Sequence, residues 1–276
     1  MIRKFQIPLH KGILVGLTLL AFFLLVGIFA PWIAPHDPLA VHLTHRLSRP
    51  SMSYPFGTDH LGRCIFSRIL YGVRISVTTA IIVMIITLII SVPISLIAGY
   101  IRGKLDTFMM RILDSILSIP DIVLTVAIVG LLGPGLFNMI FAIITVRWAT
   151  YVRFIRSLVI KVSKEDYIIS ARISGNRHSR ILRRYILPQI MMPVLTFSTF
   201  DIGKIVLTIS ALSFLGLGSQ PPTPEWGAML NDATAYFQAA PHTIFFPGLA
   251  IVLFVFTCQL LGNQLEKTHQ LTHKGE

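Results

Sequence analysis

Three ionisable residues stand in stretches that are otherwise apolar: Arg147, Asp201 and Lys204. A charge inside a lipid-spanning helix is costly. It persists where it pairs, faces a watery cavity or handles a charged solute. Asp201 and Lys204 are three residues apart, on one face of a helix, and are expected to neutralise each other. Arg147 lies beside Trp148 in the preceding apolar stretch. These three are the candidate translocation-path residues, with pairing between packed helices as the alternative role. Other chemistry finds little support. No GxxxxGK[ST] phosphate loop exists, because Gly103-Lys104 lacks the upstream glycine and the following Ser or Thr. HExxH and GxSxG are absent as well. His36, His42, His45 and His60 share a loop, but their spacing matches no metal-ligand motif. No catalytic residue and no metal site is assigned. The two cysteines, Cys64 and Cys258, form no CxxC, and Cys258 sits in an apolar run, so no disulfide is expected.

The elements that position these residues follow from composition. Hydrophobic residues make up 54% of the chain and charged residues 13%, with a mean hydropathy of +0.73. Soluble domains carry about 25% charged residues, so this is an all-α integral membrane protein. Its 276 residues leave room for about six helices of about 20 residues. The net charge of +12 fits loops beside membrane lipid, and nucleic acid is not expected as a partner. Arg3, Lys4 and Lys11 precede an apolar stretch from Gly12 to Pro35. That stretch is longer than the apolar core of a cleaved signal, so it is expected to be a retained first span.

The expected spans cover about 13–33, 76–100, 108–132, 136–158, 190–214 and 243–262. Gly133-Pro134-Gly135 divides the third from the fourth. Arg102, Lys104 and Arg111 form one basic cluster, and Arg153 to Arg184 carries a second. Both belong on the cytoplasmic side, so an even number of spans separates them. Six spans with both termini cytoplasmic meet that condition. The 216–242 loop then lies outside and holds no Lys or Arg. The outer 35–74 loop runs against the rule with Arg46, Arg49, Arg63, Arg68 and Arg74. Ile65, Ile69, Leu70 and Val73 recur in it at helical spacing, so 60–73 is expected to be an amphipathic helix on the outer interface. The division is then 1–74 for the first span and outer loop, 75–263 for the transmembrane domain, and 264–276 for a cytoplasmic tail.

Between the fourth and fifth spans, the 159–188 loop is polar and very basic. Residues 168–174 favour helix, Gly175 stops it in a left-handed turn, and helix resumes near Ser179. Pro188 then opens the next span, where its missing N–H costs little. This segment resembles the cytoplasmic coupling loop of ATP-binding-cassette importer permeases, whose pattern is Glu-Ala-Ala-x3-Gly-x9-Ile-x-Leu-Pro. Ala171, Gly175, Leu187 and Pro188 are in register, while Ile169, Ser170 and Tyr185 depart from it. Phe56-Gly-Thr-Asp-His-Leu-Gly-Arg63 with Phe66-Ser-Arg68, and Ser213-Phe-Leu-Gly-Leu-Gly218 with Pro221-Pro-Thr-Pro-Glu-Trp-Gly227, resemble the second permease subunit of the dipeptide, oligopeptide and nickel importers. The Asp201 to Leu207 run is most similar to the nickel branch.

The resemblance implies a type I importer permease fold with a cytoplasmic coupling helix between helices four and five. It assigns ATPase coupling to Ser170, Ala171, Arg172, Gly175, Leu187 and Pro188. It implies a homologous second permease, two ATP-binding subunits that hold ATP and magnesium, and an extracytoplasmic substrate-binding protein. The cargo it suggests is nickel, with dipeptides or oligopeptides as the alternative. Arg147, Lys204 and Asp201 together carry one excess positive charge, which would repel a bare divalent cation, so nickel is expected as a chelate with a small organic ligand. A secondary transporter would show inverted repeats and more helices. A membrane-embedded enzyme would need converging His, Asp or Ser residues in its spans.

Overall fold

The computed structural model describes residues 11–274. Within them lie α1 (Lys11–Ile33), α2 (Ile65–Ile101), α3 (Lys104–Leu117), α4 (Asp121–Leu132), α5 (Leu136–Val162), α6 (Asp166–Ile173), α7 (His178–Ile181), α8 (Leu187–Phe214), α9 (Trp226–Ala233) and α10 (His242–Lys274). No strand occurs among the described residues. Four helical stretches are alone long and apolar enough to cross a membrane: Gly12–Ile33, Ile65–Ile101, His178–Phe214 and His242–Thr268. Counting the bent pair α3–α4 as one span makes five. α5, at 27 residues, is long enough but carries Arg147, Arg153, Arg156 and Lys161.

The seam between α2 and α5 organises the bundle. Ser91, Ser95 and Gly99 recur every fourth residue and so form one stripe on α2. Ser91 Oγ donates to the Trp148 carbonyl at 3.3 Å, and Ser95 Oγ lies 3.2 Å from that of Val152. A Cβ added at Gly99 would stand 2.9 Å from Val159. Without a hydrophobic drive between helices in lipid, small residues that admit close backbone contact hold such a seam together. α8 packs beside α10, and α1 lies across α2 and α10. Ile143, Ile155, Ile205, Ile209 and Phe254 fill the centre and are fully buried.

Two expectations need correction. Residues 60–73 are not a separate interfacial helix. Ile65 starts α2, which continues unbroken to Ile101. The side chains of Arg63 and Arg68 are only 3% and 2% exposed. They turn inward because Asp59 and Asp232 meet them there. Arg63 Nε lies 2.6 Å from Asp59 Oδ2 and its Nη2 3.2 Å from Asp232 Oδ2, while Arg68 stands 3.7 and 3.9 Å from the same acids. The third span is bent by 87° between Asp106–Leu117 and Asp121–Leu132, since Pro120 disfavours helix at the residue before it. α10 runs without a break from His242 to Lys274. Trp226 is fully buried. Its Nε1 donates to the Ile69 carbonyl at 3.2 Å, and it sits over Gly72, where a Cβ would lie 2.5 Å from the indole. Arg3 and Lys4 lie outside the described residues.

Candidate functional site

The first candidate is the segment joining α5 to α8. α6 ends as the sequence suggests. The Gly175 N–H donates to the Arg172 carbonyl at 3.1 Å and the Asn176 N–H to that of Ala171 at 3.2 Å. This double closure needs a left-handed residue at its centre, and Gly175 supplies it with φ +74°. No other group comes within 4 Å of a Cβ built there, so the constraint is conformational. α7 follows, and the chain passes through one π-helical turn, Leu182–Ile186, into α8. Pro188 has no N–H to return to residue 184, which accounts for the widened turn. Ile168, Ala171, Ile181 and Ile186 bury one side of this segment against the bundle. Tyr167, Ser170, Ile169, Arg172 and Ile173 are exposed on the other, as are Arg177, Arg180, Arg183 and Arg184. Leu187 is half-buried and Pro188 exposed at the start of α8. Two contacts tie the segment to the end of α2: the Tyr100 hydroxyl lies 3.0 Å from His178 Nδ1, and the Arg172 guanidinium 5.0 Å from the Tyr100 ring centre.

The second candidate is a group of charges at mid-helix. Arg147 Nη1 on α5 donates to Asp201 Oδ1 on α8 at 2.7 Å. The same nitrogen lies 4.0 Å from Asp121 Oδ2 at the start of α4. Asp201 therefore takes its partner from α5 and not from Lys204. The i,i+3 spacing would need two side chains on one helix to bend together, whereas Arg147 approaches Asp201 directly across the helix contact. Lys204 is exposed and makes no side-chain hydrogen bond or ion pair among the described residues. The structure thus brings Arg147 and Asp201 together and leaves Lys204 apart.

Asp121 is a further member that the sequence reading did not single out. Its signal was Pro120-Asp121 inside a span read as continuous, a proline and an acid that commonly open a helix. With Asp121 included, the four side chains carry two charges of each sign. The excess of one positive charge expected from Arg147, Asp201 and Lys204 alone does not hold.

The remaining polar groups are structural. Arg156 clasps Asp106 with bonds of 2.6 and 2.5 Å, fastening α3 to α5. His36 and His45 pack on Tyr54, and His60 on Tyr236. Among the described residues, no three His, Cys, Asp or Glu side chains are grouped to hold a metal ion.

Comparison with known proteins agrees with this geometry. Residues 91–268 match the family described as binding-protein-dependent transport system inner membrane component. Residues 9–50 match the N-terminal transmembrane domain of oligopeptide transport permease C. A dipeptide transport system permease of Alkalihalophilus pseudofirmus is 39% identical over 94% of this chain and 86% of its own length. A nickel transport system permease of Escherichia coli is 37% identical over 95% of both. A glutathione transport system permease of Escherichia coli is 42% identical over 91% of this chain and 84% of its own.

Proposed function

Because this chain belongs to the family of binding-protein-dependent transport system inner membrane components, and is a transport subunit rather than an enzyme, we propose that it is one of two homologous permeases of an ATP-driven importer. Two partner subunits bind ATP and magnesium, and an extracytoplasmic protein delivers the cargo. The chain crosses the cytoplasmic membrane six times, with α3–α4 as a broken span and α5 as an arginine-bearing one. The side carrying α6 and α7 is cytoplasmic.

The observation that carries this reading is the α6–Gly175–α7 segment. It is anchored by buried Ile168 and Ile181, yet it presents Ile169, Ile173 and arginines outward. An apolar and basic surface of this kind suits docking on a protein better than solvent exposure. Nucleotide-driven closure of the ATP-binding subunits would move it as one piece and bias the bundle between outward and inward access. A cysteine at Ile173 tests this. It should cross-link to an ATP-binding subunit in the assembled complex, whereas one at exposed Val252 on α10 should not. Equal labelling of both by a lipid-borne reagent, with no cross-link from 173, would overturn the assignment.

The similarity of the 201–207 run to the nickel branch suggests nickel held by a small organic ligand as cargo. A second reading, a small peptide, gains from Asp121. An acid and a base both open on the bundle surface suit a molecule that carries charges of both signs.

A further inference from the structure

Gly135 N–H donates to the Leu217 carbonyl at 3.1 Å, so the α4–α5 turn and the end of α8 lie at one level. Depth can be counted from there at 1.5 Å per residue. Asp121 on α4 and Arg147 on α5 stand about 17 Å in, Lys204 about 15 Å and Asp201 about 20 Å. Four charges from three helices therefore share one layer, near the middle of a hydrocarbon core about 30 Å thick.

Their exposure divides them. Arg147 and Asp201 form the inner pair, with side chains 12% and 3% exposed. Asp121 is 47% exposed. Lys204 is exposed on an apolar stretch of α8 with exposed Leu207 nearby. It attracts Asp201 only at longer range. Facing lipid, a lysine at mid-depth would cost about 2.5–3.5 kcal/mol on insertion scales. Its stem is too short to reach either surface from about 15 Å. The inner pair neutralises itself. Asp121 stands at its edge, 4.0 Å from Arg147 Nη1, with about half of its side chain open, and Lys204 has no ion-pair partner among the described residues.

We propose that Asp121 and Lys204 form a cargo subsite at mid-membrane for a zwitterion, a small molecule with a free ammonium and a free carboxylate. Asp121 receives the ammonium and Lys204 the carboxylate. The Arg147–Asp201 pair between them holds α5 and α8 in place. The proposal rests on the importer reading and narrows its cargo to the amino-acid and short-peptide class.

The test uses the full complex in proteoliposomes, with labelled dialanine and labelled nickel citrate as probes. The wild type should take up dialanine on addition of ATP. Lys204→Met and Asp121→Asn should each lower that uptake at least tenfold while still co-purifying with the partner subunits. Lys204→Arg should retain most of it. The swapped pair Asp121→Lys with Lys204→Asp should recover part of the loss, since a zwitterion can turn around, whereas a purely structural role predicts no recovery. Dialanine uptake within twofold of wild type in both single variants would overturn the subsite. So would loss of co-purification, which would place Lys204 against the second permease. Uptake of nickel citrate that needs Lys204 but not Asp121 would overturn the ammonium half. No ATP-dependent uptake of either probe by the wild type would bring down the importer reading itself, and the subsite with it.

Discussion

Arg147 Nη1 sits 2.7 Å from Asp201 Oδ1, joining α5 to α8 with side chains only 12% and 3% exposed. Removing one partner of such a pair leaves an uncompensated buried charge, a loss of about 3–5 kcal/mol. Arg147→Met should therefore lower the thermal midpoint and abundance of the purified complex sharply. Arg147→Met with Asp201→Leu should recover most of the loss. Lys204→Met, whose side chain has no such partner, should leave the midpoint close to wild type. A double variant no more stable than the arginine single would show that the pair is not what holds the helices.

Gly175 offers a test of conformation without crowding. A left-handed backbone costs an L residue about 1–2 kcal/mol, while Asn tolerates it better than β-branched residues do. Gly175→Val should abolish uptake at normal abundance, and Gly175→Asn should keep much of it. Equal activity in the two would show that the closure at 171–176 does not govern coupling.

Glu225 caps α9 from a buried position: its Oε2 accepts from the Ala228 N–H at 2.9 Å and its Oε1 from Ser76 Oγ at 3.1 Å. Burial pushes this carboxyl above its ordinary range, with the hydrogen bonds from Gly227, Ala228, Ser213 and Ser76 opposing it. The folded state therefore favours the protonated form. Stability is greatest below the unfolded pKa of about 4.3 and falls as pH rises through the folded value. Glu225→Gln keeps an acceptor without the charge. It should match wild type in acid and exceed it at neutral pH in thermal melts. Glu225→Ala should lose about 1 kcal/mol in acid through the missing cap, and less at neutral pH, where it also removes the buried charge.

Sidedness can be read with single cysteines at Gln238 and Ser179, both exposed. Native Cys64 and Cys258 are 2% exposed and give little background. An impermeant maleimide applied to intact cells should label position 238 and spare 179. Labelling of both would remove the cytoplasmic placement of α6 and α7.

Local signals in the sequence carried the parts of the fold that depend on neighbours in the chain. The uncharged run from Ile75 to Ile101 showed a span, Gly175 a helix stop, and Gly133-Pro134-Gly135 a turn. Tertiary pairing was not legible. Arg63 and Arg68 looked like interfacial charges because Asp232 is far away in sequence. Lys204 looked like the partner of Asp201 because spacing is visible and the approach of Arg147 across α5 is not. Pro120 was visible, but it can start, end or kink a helix, and only the packed structure shows the 87° bend.

The Asp59–Arg63–Arg68–Asp232 cluster also sets an order on biosynthesis. The chain leaves the ribosome from its N-terminus, so both arginines emerge long before Asp232. Until then Asp59 is the only acid of the cluster present for two guanidinium groups, and a chain truncated before α9 would carry that imbalance permanently. The segment between α1 and α2 completes its contacts only after α8 and α9 have been made. Early and late segments of the protein are thereby joined in one contact, which a chain lacking α9 could not close.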